Sequence, residues 1–171
     1  MRPDSSEYSP YYGRYISLAP DDVMEALQSE LRITLSLLDS IREERADYRY
    51  AEDKWSIRQV VGHLIDTERV FAFRALWFGR NDPTPLASMD QDLFMRDAGF
   101  DNVPLRELAA EFASVRDATI HLFRNMPEAA FSRIGKVQDA HMSVNALAYM
   151  IAGHEMHHRA ILRDRYRAAL E

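Results

Sequence analysis

The sequence predicts an all-α protein, a four-helix bundle, on three observations. Four long segments repeat apolar residues every three or four positions, strand-like alternation is weak throughout, and 171 residues suit one hydrophobic core. The chain is therefore read as a single domain, 1–171. Its 47% hydrophobic and 28% charged residues are ordinary for a soluble globular protein.

The first helix is placed at about 20–44, where Val23, Leu27, Leu31, Leu35, Leu38 and Ile41 recur on one face. The second runs from Ser56 over 56–79. Ser56 followed by Gln59 is a capping-box pattern that marks its start, and Gly79, opening the turn-rich GRNDPTP, marks its stop. The third, 104–126, takes Pro104 as its first residue, where a missing N–H costs nothing. Leu105, Leu108, Phe112, Val115, Leu122 and Met126 form its stripe. The fourth follows the N-cap Ser143 and runs to about 169. The connection between the second and third helices, 80–103, is too long to be an idle loop, and its SMDQDLFMRDAG portion predicts a short helix. The aromatic N-terminus, YSPYYGRYISL, is expected to pack across the bundle, either covering the core or lining a site.

Composition narrows the function. With 21 basic and 27 acidic residues the net charge is −6, which disfavours a nucleic-acid partner. No apolar run approaches the roughly 20 residues needed to span a bilayer, and the N-terminus lacks a hydrophobic signal core. With no cysteine there is no disulfide, no thiol nucleophile and no thiolate ligand, which agrees with a cytoplasmic location. A metal site would have to be built from imidazole and carboxylate.

The stretch AGHEMHHRAIL supplies the imidazoles. On the fourth helix Val144, Leu147, Ile151, His154, His158 and Ile161 follow alternating three- and four-residue steps, an inward face. His154 and His158 are one turn apart and can chelate one ion. His157 sits about 60° from His154, on the side away from His158, and is read as a flanking residue. His154 and His158 also satisfy HExxH, but the downstream HxxGxxH extension is missing and the segment is not read as a peptidase. A third ligand is offered by His63 in the second helix, polar among Val60, Val61 and Leu64. His121 and His141 are poorer candidates. Three neutral imidazoles leave a divalent ion with an open coordination position, the arrangement of a catalytic site. Such an ion acidifies a bound water or thiol. Asp66 and Glu155 are the carboxylates expected to orient a ligating ring or assist proton transfer.

YYGRYISLAP, KWSIRQVVGHLIDTERVFAFRAL, DPTPLASMDQD and ALAYMIAGHEMHHRAIL together resemble the DinB-like superfamily, over most of the chain. The resemblance implies an up-down-down-up bundle, frequently a homodimer, with zinc or nickel held by three histidines. Residue by residue those are His63, His154 and His158. It does not fix the reaction. The first expectation is a metal-dependent enzyme that activates a low-molecular-weight thiol for S-transfer to a small-molecule substrate. The alternatives are a hydrolase in which the metal activates water, and a non-catalytic, metal-stabilised stress-response or interaction protein.

Overall fold

The computed structural model describes residues 1–170. Six helices follow in chain order: α1 (Gly13–Ile16), α2 (Val23–Asp39), α3 (Ile57–Gly79), α4 (Gln91–Asp97), α5 (Leu105–Arg124) and α6 (Val144–Arg165). Between α5 and α6 lie two short strands, β1 (Ile134–Val137) and β2 (Ala140–Ser143). The helical signals act where they were expected. Ser56 Oγ accepts from the Gln59 N–H while the Gln59 side chain accepts from the Ser56 N–H, and Ser143 Oγ accepts from the Ala146 N–H. The expected short helix in the connection is α4, capped by Asp90.

Three details correct the sequence reading. The first helix stops at Asp39; Ser40 and the extended Arg42 break it, although Ile41 is still buried in the core. Pro104 is the cap of α5 and not its first helical residue. The free Leu105 N–H there is taken by the Glu43 carboxylate, 3.1 Å from both oxygens. Finally, 134–143 is an antiparallel hairpin turning through Gln138 at φ 50°, with Ile134 opposite Ser143 and Val137 opposite Ala140. Strands of four residues are too short to show an alternating pattern.

α2 and α3 each pack against both α5 and α6, so α2 sits diagonally across the bundle from α3, and α5 from α6. Arg58 bonds the Val103 carbonyl and Arg116 bonds Glu68, which makes α3 and α5 parallel. Tyr149 reaches Asp21 and Arg159 reaches Glu30, which makes α2 and α6 parallel. His63 lies by His158 and Gly79 near Val144, so α3 and α6 are antiparallel. The order is up-down-down-up, and its crossovers need the long connections. None of these helices is long and apolar enough to cross a membrane.

The apolar core falls into two clusters. One is built around Leu27, Phe78, Phe123, Leu147 and Ile151, the other around Ile57, Leu64, Leu108, Phe112 and Leu162. A polar belt lies at the level between them. At its centre the Arg116 guanidinium, fully buried, meets both oxygens of Glu68 at 2.8 Å, Glu155 Oε2 at 2.6 Å and the Leu27 carbonyl at 2.9 Å. Arg159 joins α6 to Glu30 and Thr34 of α2 in the same belt.

The hairpin also ties down the two segments that cover one side of the bundle. The Ser9 N–H donates to the His141 carbonyl, and Leu86 exchanges backbone hydrogen bonds with Lys136 and Gln138. His141, on β2, lies 3.3 Å from Ser9 Oγ and 3.2 Å from the Ser6 carbonyl, which accounts for this histidine structurally.

Candidate metal centre

The belt opens at one edge into a cluster of imidazoles. His63 of α3 and His154 and His158 of α6 each present a ring nitrogen, all within 4.8 Å of one another. His63 Nε2 and His154 Nε2 are 3.2 Å apart. Two nitrogens about 2.0–2.1 Å from a shared tetrahedral ion would lie about 3.3 Å apart, so the observed spacing fits one divalent ion.

The donor chemistry fits as well. His63 has its pKa pulled down to about 4 by burial alone. His154 and His158 lie well below the usual imidazole value, through burial first and then the neighbouring rings. All three are therefore neutral at physiological pH, the form that ligates. His63 Nδ1 faces Thr67 Oγ1 at 3.3 Å, a contact that leaves Nε2 free to point at His154. His121 is exposed on α5, away from this cluster.

Helical phase decides what α6 gives to each side. His154 faces the cluster, and Glu155, one residue and about 100° further round, faces the bundle axis and Arg116. Glu155 Oε2 accepts from Arg116, and among the described residues no hydrogen bond joins Glu155 to an imidazole. Asp66 is likewise turned away, toward Arg69 at 4.0 Å and the charge of Glu111. Thr67, four residues after His63, takes the place expected for a carboxylate. Its i, i+4 spacing was a visible signal, obscured by the preference for charged acceptors.

His157 stands beside the cluster and outside it, half-buried, its ring 5.5 Å from Tyr15 and 5.1 Å from His158. Tyr15 also meets His154 edge-on at 5.2 Å. Its approach depends on Gly153: a Cβ there would come within 1.9 Å of the Tyr15 carbonyl oxygen, so only glycine lets α1 lie directly on α6. Trp55 packs on the far side of His63 with ring centroids 4.8 Å apart.

From His63 and His154 a cavity of about 340 Å³ leads outward. Thr67, Phe71 and Arg74 line it from α3, Tyr11, Tyr12 and Tyr15 from the N-terminal segment, and Ser88, Met89, Asp90 and Gln91 from the connection. The N-terminal tyrosines therefore line the site. A second cleft of about 380 Å³ reaches His158 from the other side and shares Gln91 with the first.

An up-down-down-up bundle with three convergent histidines defines a class of candidate metalloprotein. The family model for the DinB superfamily matches residues 26–162, and the chain belongs to that superfamily. No functionally curated protein sequence matches it. Among solved structures it is similar to YfiT from Bacillus subtilis, described as a probable metal-dependent hydrolase with an unusual four-helix bundle topology. The TM-score is 0.74 at 18% identity, covering 98% of this chain and 93% of that one. It is also similar to a mycothiol-dependent maleylpyruvate isomerase, with TM-score 0.70, 11% identity and coverage of 85% and 61%. A DinB-like protein, YjoA, from Bacillus subtilis gives TM-score 0.61, 18% identity and coverage of 86% and 92%. At these identities the likeness concerns the fold.

Proposed function

We propose that this protein is a divalent-metal-dependent enzyme in which His63, His154 and His158 hold zinc or nickel, and a low-molecular-weight thiol cosubstrate supplies the nucleophile for S-transfer to a small-molecule substrate. The observation that carries the reading is the convergence of three neutral imidazoles, His63 and His154 buried and His158 half-buried, with His63 and His154 lining a cavity. When bound, such an ion acts as a Lewis acid that lowers the pKa of a thiol or water at its open position.

The chain's own residues do the rest. Thr67 orients the His63 ring, while Trp55, Phe71 and Tyr15 pack against the imidazoles and hold them in place. The chain has no cysteine, so a reacting thiol must arrive as a cosubstrate. The hydrolase reading is favoured by one observation, the open cavity itself, which would admit water equally well. It is weakened by the placement of Glu155 on Arg116 and of Asp66 by Arg69, which leaves neither of these carboxylates at hand as a base. A purely structural ion would call for a closed site, and the cavity at His63 and His154 argues for catalysis instead. The names of two similar structures, a probable metal-dependent hydrolase and a mycothiol-dependent isomerase, span both enzymatic readings. The same proposal takes the protein as a cytoplasmic homodimer.

The test is an electrophilic bimane probe incubated with metal-loaded protein, with and without added thiol. S-transfer predicts turnover only when metal and thiol are both present. Thiol-independent cleavage of esters or amides would replace this reading with the hydrolase.

A further inference from the structure

Four arginines are buried in the bundle, and three are matched to carboxylates. Arg58 pairs with Glu43 at 2.6 Å and Asp47 at 2.8 Å, Arg116 with Glu68 and Glu155, and Arg159 with Glu30. Arg74 is the fourth. It is 3% exposed, yet among the described residues no Asp or Glu forms an ion pair with it. Its neighbours are the Ala87 carbonyl at a long 3.5 Å, the Phe71 ring 5.7 Å beneath the guanidinium, and the Tyr12 hydroxyl alongside. Burying a guanidinium without a counter-charge is costly, and elsewhere in this molecule that cost is offset by a carboxylate each time.

Arg74 lines the same cavity as His63 and His154. It stands on the α3 stripe that carries His63, Thr67 and Phe71, eleven residues beyond His63, or about 16 Å along the axis. Its long side chain leans back toward the N-terminal end of α3, where the imidazoles are. The acidic residue on the cavity lining, Asp90, accepts from the Asp92 and Leu93 N–H groups through Oδ1, caps α4 and forms no ion pair with Arg74. The cavity lining thus carries a permanent, planar, multi-donor cation together with two of the three imidazoles, His63 and His154. A guanidinium in such surroundings selects oxyanions that it can meet with two parallel hydrogen bonds.

We propose that Arg74 is an anion anchor: the molecule bound in this cavity carries a carboxylate or phosphate that pairs with Arg74 while its reacting end lies at His63 and His154. What happens at the reacting end rests on the metal reading above; the anion site does not. The proposal narrows the substrate or thiol cosubstrate to small anionic compounds and gives one end of the cavity a recognition role.

The test uses three probes of one length, 6-mercaptohexanoate, 6-mercaptohexanamide and 4-mercaptobutyl phosphate. Binding to metal-free protein is followed by the Arg74 Nε–H resonance, and binding to cobalt-loaded protein by thiolate-to-cobalt absorption. Wild type should bind the carboxylate or the phosphate at least about tenfold more tightly than the amide, and whichever anion gains more identifies the group recognised. Arg74→Met should erase that preference while leaving amide affinity unchanged, and Arg74→Lys should retain part of it. Equal affinity of wild type for all three probes overturns the proposal whether or not either variant folds. Failure to load cobalt, with the anion preference intact in metal-free protein, would count against the metal reading and leave the anchor standing.

Discussion

Arg116 holds the polar belt together, and removing it should expose how much the site depends on that belt. In Arg116→Met, Glu68 and Glu155 would be left in the core without the cation that now meets three of their oxygens. Breaking a buried ion pair by removing one partner costs about 3–5 kcal/mol, against a total stability of about 5–15 kcal/mol for an ordinary domain. For a domain of this size each kcal/mol is worth about 2–4 °C, so melting should fall by roughly 6–20 °C. Burial already pushes the Glu155 carboxyl above its usual range, opposed chiefly by Arg116. Without Arg116 the Glu155 carboxyl should rise further. A raised carboxyl destabilises the native state as pH climbs above the unfolded value of about 4.3, so the deficit should be largest near pH 7 and shrink toward pH 4. Urea denaturation across that range reads both effects. Replacing Arg116, Glu68 and Glu155 together by Met should recover most of the loss, because an apolar trio of similar volume leaves no stranded charge. A single variant within about 1 kcal/mol of wild type at pH 7 would refute the reasoning.

The imidazole cluster makes two further predictions. Thr67→Val keeps the shape of the side chain and removes the oxygen beside His63 Nδ1, and should weaken metal affinity about 10–100-fold in competition with a chromophoric chelator. Unchanged affinity would mean that Thr67 does not orient the ring. In metal-free protein His63 has a folded pKa of about 4 against an ordinary 6.5, so its stabilising contribution is complete above pH 6.5 and lost as pH falls toward 4. At 1.36 kcal/mol per unit, moving from pH 7.5 to 5 should cost about 2 kcal/mol from His63 alone, with His154 and His158 acting in the same direction. A urea midpoint that does not move over that interval, or moves equally in His63→Gln, would contradict it.

Much of the bundle was legible because its signals are local. Ser56 with Gln59 and Ser143 before an apolar run mark helix starts within a few residues, and the helical stripes follow from spacing alone. His63 could be picked out because it is a polar residue in an apolar turn, and helical phase separated His154 and His158 from His157. The belt was not legible. Arg116 lies four residues after Phe112 on an apolar stripe, yet nothing local says that Glu68 and Glu155 will close around it from two other helices. The contact of Glu155 with Arg116 was hidden for the same reason: a residue adjacent to a candidate ligand points about 100° away from it. Arg74 was invisible because its significance is the lack of a carboxylate in three dimensions. The hairpin escaped because four-residue strands carry too little pattern, although it anchors both segments that wall the cavity.

The central claim is that His63, His154 and His158 bind one divalent ion. Elemental analysis of protein purified without metal-affinity resin tests it most directly. Wild type should carry about one zinc or nickel per chain, His157→Ala should keep it, and His158→Ala should lose most of it while far-ultraviolet circular dichroism stays helical. Full metal content in folded His158→Ala, or wild type that neither carries nor takes up a stoichiometric divalent ion, would contradict the account.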